Sequence, residues 1–159
     1  LRGPILFKHY ISDGTIVRPF DADGWFFTGD IGKLGREGHL TLVGREKDLI
    51  IRKGESISPS EIEDVLGKHP AIEDVAVIGI PDDVRGERIC AVVQLTDRGQ
   101  GVELDELREY CRVSGISPAK FPEQLEFVTE LPKTPTMKIR KQNLRERILD
   151  RQVAAHTGA

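Results

Sequence analysis

"SISPSEIEDVLGKHP", residues 56–70, decides the fold. Ser58 suits the position before a helix. Pro59 suits the first helical residue, whose N–H needs no partner, and Glu61 stands three after the cap, where a capping-box carboxylate reaches back. Ile62, Val65 and Leu66 recur at i, i+3 and i+4 and share one face. His69-Pro70 ends the helix, because the residue before proline is pushed away from helical dihedrals. So short an amphipathic helix needs another layer to cover it. The following runs provide one. "IEDVAVIGIPD" (72–82) and "ERICAVVQL" (87–95) are rich in β-branched residues and predict two strands joined by "PDDVRG" (81–86).

Further on, "DRGQG" (97–101) is a loop and "ELDELREYCRV" (103–113) a helix with Leu104, Leu107 and Cys111 on one stripe. "ISPAKFP" breaks it, and "EQLEFVTEL" (123–131) is a third strand. "PKTPTMK" (132–138) is too proline-rich for regular structure. "IRKQNLRERILDRQ" (139–152) is a last helix with Leu144, Ile148 and Leu149 inward, and the tail is expected to be disordered.

Upstream the pattern differs. "DADG" (21–24) and "GREG" (35–38) are turn signals around "WFFTGDIGKL" and "HLTLVG". His39, Thr41 and Val43 alternate with Leu40 and Leu42, which predicts a half-buried strand in a hairpin with the "TGDIGKL" segment. At "GREKDLIIRKGESI" (44–57) the character changes: Leu49, Ile50 and Ile51 form a short apolar run, and "RKGE" turns at Gly54. The expected organisation is therefore a strand-rich piece over 1–46, a small domain over 47–150 and a disordered tail over 151–159. The fold class is α+β, with a three-stranded sheet and helices. A piece as small as 1–46 buries little by itself, and its strand edges invite association.

Composition narrows the function. The chain has 159 residues, 31% charged and 38% apolar, with net charge −3. That balance gives no global attraction to nucleic acid, and no apolar run reaches membrane-spanning length. The first ten residues, "LRGPILFKHY", lack the pattern of a signal peptide, and a cytoplasmic location is expected. Cys90 and Cys111 are expected as two reduced thiols, and the four scattered His give no metal-ligand spacing. Between Lys133 and Arg151 seven basic residues face two acidic ones, a local +5 that reads as a solvated helix face or as a binding patch.

The order of motifs carries more than any one of them. "GWFFTGDIGKLGREGHLTLVGREKDLIIRKGESISPSEIEDVL", then "VAVIGIPDDVRGE", then "ELPKTPTMKIRK" resembles the acyl-adenylate-forming superfamily, which includes acyl-CoA synthetases, luciferases and the adenylation domains of peptide synthetases. "KGESISPSEIE" and "PDDVRGER" look most like acyl-CoA synthetases. The resemblance implies a C-terminal portion: the last strands of a large N-terminal domain, then the small C-terminal domain. The large domain is an expected partner, along with a carboxylic or fatty acid substrate. ATP, Mg2+ and CoA are the cofactors expected of the full-length parent, with none expected on this portion alone, which is expected to be inactive. Two alternatives stand beside this: an adenylating enzyme that loads a carrier-protein thiol, and a non-catalytic module that binds through the basic C-terminal face.

The resemblance also assigns roles. Asp30, in "TGD", matches an aspartate that clamps the ribose hydroxyls; a carboxylate can accept two hydrogen bonds from a cis-diol. Its plainer reading is a turn aspartate. Arg45 matches an arginine near ribose and phosphates, against a plainer surface pair with Glu46 or Asp48. Lys47 falls at the hinge about which the small domain turns. Gly54 marks a turn that lines the thiol channel in the thioester step, where a glycine lets backbone approach a ligand. Position 56, basic in some relatives, is Ser56 and carries no such role. Lys138 matches the catalytic lysine of the adenylation step. The usual Gly-Lys is Met137-Lys138 here. Methionine does not take φ > 0 cheaply, so the loop is expected either to have an ordinary backbone shape or to deliver the lysine differently.

Overall fold

Strands too short to make a core form the first part of the chain. In a computed structural model that describes residues 1–97 and 101–157, with side chains as far as 154, the chain divides into two compact units, Leu1–Glu46 and Lys47–Ala159. The first unit holds two antiparallel hairpins, β1 (Tyr10–Ser12) with β2 (Thr15–Val17) and β3 (Asp30–Leu34) with β4 (Leu40–Arg45). Its packing is aromatic. Phe7 meets Tyr10 at 4.3 Å and Phe26 edge-on at 5.1 Å between ring centres, and Phe20 meets Phe26 at 5.9 Å. Of the aromatics in "WFF", only Phe26 joins this cluster. Trp25 lies under the Arg2 guanidinium at 4.9 Å, and Phe27 is 77% exposed. The half-buried strand expected over 39–43 is corrected: Leu40 and Leu42 are 61% and 65% exposed. A period of two requires a layer on one side, and within this unit nothing covers that face.

The second unit opens with a 3-10 turn, Glu46–Asp48, that straddles the boundary, and then β5 (Ile50–Arg52) and β6 (Glu55–Ile57). There follow α1 (Pro59–Leu66), β7 (Ile72–Asp82), β8 (Gly86–Leu95), α2 (Leu104–Val113), β9 (Gln124–Val128) and α3 (Lys141–Thr157). The class is α+β, but the sheet has five strands rather than three. The two extra are β5 and β6, three residues each, too short to show an alternation in sequence. The loop expected over 97–101 falls partly on 98–100, outside the described residues.

The strands β7 and β8 are buried on both sides, which is why they read as nearly continuous apolar runs. On one face Val75, Val77, Ile89, Ala91 and Val93 pack with Ile62 and Leu66 of α1 and Leu107 and Cys111 of α2. On the other, Ala76, Ile78, Ile80, Cys90 and Val92 pack under Leu144 and Ile148 of α3. Fully burying a side chain such as Ile62 or Leu66 contributes about 2 kcal/mol.

Two local expectations are corrected. Helix α1 starts where Ser58-Pro59 predicts, but without a capping box: Ser58 Oγ lies 2.8 Å from Ser60 Oγ, and Glu61 reaches Lys120. The tertiary ion pair takes the carboxylate the local motif would have used. The tail expected over 151–159 is helical as far as Thr157, and 158–159 lie outside the described residues. As expected, "PKTPTMK" holds no helix or strand, though its ends close on one another through a bridge between Lys133 and Ile139.

Candidate active site

Within the first unit, Asp30 and Arg45 are brought together by β-sheet register. They face each other across β3 and β4, and Arg45 Nε donates to Asp30 Oδ1 at 3.1 Å. Arg45 thus pairs with Asp30 rather than with Glu46 or Asp48. Asp30 N donates to Thr28 Oγ1 at 3.0 Å, and Gly29 accepts from Glu46 N at 2.8 Å. Gly29 has φ +71, a backbone shape that glycine adopts without cost. The carboxylate is 29% exposed and oriented by its arginine, and Oδ2 has no hydrogen-bond partner among the described residues. Such a group can accept from a diol. An open cleft of about 600 Å³ in this unit is lined by Arg2, Lys8, His9 and Arg18 with Phe7 and Phe20, and includes neither Asp30 nor Arg45.

Within the second unit lie Lys47, Gly54 and Lys138. Lys47 is in the 3-10 turn, its first residue in the unit. Gly54 is at the β5–β6 turn with φ +82, next to Lys53 at φ +50, and a side chain at position 54 would meet open space. The turn is free of crowding on its outer side.

Lys138 is exposed near the tip of the 133–139 hairpin. Thr134 N donates to Lys138 O at 2.8 Å, Met137 N to Thr134 O at 2.9 Å, and Lys138 N to Thr134 Oγ1 at 3.1 Å. This is the pattern of a three-residue hairpin loop, whose third residue takes the left-handed conformation. Met137 takes it, at φ +62. The expected ordinary backbone shape does not hold: the loop keeps a glycine-type shape without the glycine, at a cost of about 1 kcal/mol. Thr134 is a residue that sequence reasoning missed. Its signal was a Thr-Pro pair four residues before the lysine.

Carboxylates hold the frame around these loops. Arg52 forks Glu123 through Nε at 3.0 Å and Nη2 at 2.9 Å, and Arg85 Nε lies 3.1 Å from the same carboxylate. The Arg52 hydrogen bonds hold the Glu123 carboxyl below its ordinary range. Asp82 is also held low, first by the Arg85 backbone N–H. The basic stretch after residue 132 is largely engaged: Lys133 with Asp74, Lys141 with Glu63, Arg145 with Glu87 and Arg151 with Glu126. Both cysteines are free and buried, and burial pushes the thiol of Cys90 up to about 12 and that of Cys111 to about 11. Among the described residues no three His, Cys, Asp or Glu converge on a metal position. No described helix is long and apolar enough to cross a membrane.

An α+β domain that ends its last loop on an exposed lysine is the part that comparison recognises. Residues 61–138 match the AMP-binding enzyme C-terminal domain. The chain belongs to the acyl-adenylate-forming superfamily, through its C-terminal portion. It is 42% identical over 128 residues to the human mitochondrial medium-chain acyl-CoA ligase, covering 80% of this chain and 20% of that protein. It is 41% identical over 147 residues to the vibriobactin-specific 2,3-dihydroxybenzoate-AMP ligase of Vibrio cholerae, covering 92% and 27%. The crystal structure of ATP-bound MatB from Rhodopseudomonas palustris matches with a TM-score of 0.72 and 34% identity, over 81% of this chain and 25% of that one. The chain thus spans about a fifth to a quarter of the length of the relatives it matches.

Proposed function

We propose that the chain is the C-terminal part of an ATP-dependent acyl-CoA synthetase. In the parent, a carboxylate attacks the α-phosphate of ATP to give acyl-AMP and pyrophosphate; the thiol of CoA then displaces AMP to give the thioester. Asp30, oriented by Arg45, accepts hydrogen bonds from the ribose hydroxyls, and Arg45 adds positive charge near the phosphates. Lys138 stabilises negative charge as it develops between carboxylate and α-phosphate. Mg2+ would accompany the ATP phosphates. Lys47 is the hinge, which the unit boundary just before it supports. The Gly54 turn serves the thioester step, where its open outer side leaves room for a pantetheine arm. A cytoplasmic location belongs to this reading.

The observation that carries it is Lys138, held by Thr134 at the exposed tip of a closed hairpin, at the last residue of the family match. The test is Lys138→Ala in the full-length parent. Acyl-AMP formation should fall about 100- to 1,000-fold with the thermal midpoint unchanged. Undiminished adenylation would overturn the assignment. The isolated chain should form no acyl-AMP, and measurable turnover by it would overturn that part of the reading.

A second acceptor is favoured by one observation: identity to the dihydroxybenzoate-AMP ligase, 41%, is nearly that to the acyl-CoA ligase, 42%. In that reading the acyl group passes to a carrier-protein thiol. Thioester formation from acyl-AMP and free CoA by the parent decides between them.

A further inference from the structure

The hairpin that carries the Lys53–Gly54 turn is poorly anchored by backbone. Its ladder contact with the rest of the sheet is the single pair Arg52↔Gly86, with one further bond from Lys53 N to Arg85 O at 2.8 Å. Two carboxylates make up the difference. Glu123 holds the Arg52 side chain, as above. Glu87 reaches the backbone itself: its Oε2 accepts from Ile51 N at 2.7 Å, while its Oε1 accepts from Arg145 Nη2 of α3 at 2.7 Å.

The surroundings are shaped for this. The Glu87 side chain is 14% exposed. A Cβ on Gly79, on the neighbouring strand, would lie 2.6–2.9 Å from the Glu87 carboxylate, so only glycine leaves it room. A Cβ on Gly86 would lie 3.2 Å from Ile51 O, so β5 runs close against the start of β8. Helix α3 begins three residues after Lys138. One carboxylate therefore joins the strand leading into the Gly54 turn to the helix that follows the Lys138 hairpin.

We propose that Glu87 is a positioning residue for the thioester step, tying β5 and its Lys53–Gly54 turn to α3. The proposal rests on the functional reading above for the role of that turn. Lys138 is anchored by Thr134 within its own hairpin, whereas the turn is held from outside its hairpin, by Arg85 O, Glu123 and Glu87. Loss of Glu87 should therefore loosen the turn more than the lysine.

Glu87→Gln keeps the size but leaves an amide that cannot accept from both Ile51 and Arg145. In the full-length parent, thioester formation from preformed acyl-AMP should fall on the order of tenfold more than acyl-AMP formation does, as for the loss of a charged hydrogen bond. Amide exchange at Ile51 and Lys53, read in this chain alone, should speed up on the order of tenfold. Arg145→Gln, on a partly exposed helix position, should give the same split at smaller size and covers the case in which the first variant folds poorly. Equal losses in both half-reactions, or unchanged exchange at Ile51, would overturn the proposal. If the wild-type parent forms no acyl-AMP, the functional reading fails, while the exchange measurement still tests the tether by itself.

Discussion

The two units use the same apolar residue types to opposite effect. In Lys47–Ala159, Leu66, Leu107, Leu131 and Leu144 are at most 2% exposed. In Leu1–Glu46, Leu34, Leu40 and Leu42 are 61–70% exposed, and no described side chain is fully buried. Overall apolar content does not separate them. The second unit has a sheet covered on both faces by helices, whereas the first has only two-stranded hairpins and a cluster of rings. A hydrophobic side chain stabilises a fold only when another layer removes it from water. The lesson is that amphipathic alternation in the first unit describes a surface awaiting cover, which under the proposed function the rest of the parent provides.

The contrast can be broken most sharply by truncating one leucine in each unit. Leu66→Ala should cost this chain about 2–5 kcal/mol in urea denaturation, because it opens a cavity between α1 and the sheet. Leu42→Ser should change the same measurement by less than about 0.5 kcal/mol. In the parent the second change should cost more; equal small costs in both settings would sink the idea of a covered face. A smaller effect should come from acid. The Glu123 carboxyl is held below its ordinary value of 4.5 by Arg52. Its contribution is therefore full above that value and is lost as pH falls through the lowered one. Glu123→Gln should cost about 1–3 kcal/mol near neutrality, where it leaves two guanidinium groups short of a partner, and should flatten the acid decline. A decline of unchanged steepness would remove Glu123 from that role. The smallest effect is expected at Met137. Met137→Gly relieves a left-handed residue but frees the unfolded chain, so the two nearly cancel and stability should move by less than about 1 kcal/mol. Met137→Val, stiff at Cβ, should lose about 1 kcal/mol or more, and a neutral valine would show that the loop does not require positive φ.

The same contrast explains what was legible. Helix α1 and the inward residues of α3 were readable from their periodicity, and strands β7 and β8 from long runs of β-branched residues. The hairpin of β5 and β6 was not, since three-residue strands show no period and are held by Glu87 and Glu123 from distant positions. The Asp30–Arg45 pair was missed as a pair because the partners stand 15 residues apart and meet only through register. The capping box failed for the opposite reason: its local signal was present, but Lys120, remote in sequence, took Glu61.

By itself the sequence determined the α+β class, the order of the helices and long strands, the superfamily and the positions of Asp30, Arg45, Lys47, Gly54 and Lys138 as residues to ask about. These depend on local periodicity and on motif order, which a linear chain displays. Only the tertiary structure decided which carboxylate meets which guanidinium, that Met137 takes a glycine-type backbone, and that the leucines of the first unit face outward. Those outcomes depend on contacts between residues far apart in the chain, where one partner is chosen over another by geometry that no single segment contains.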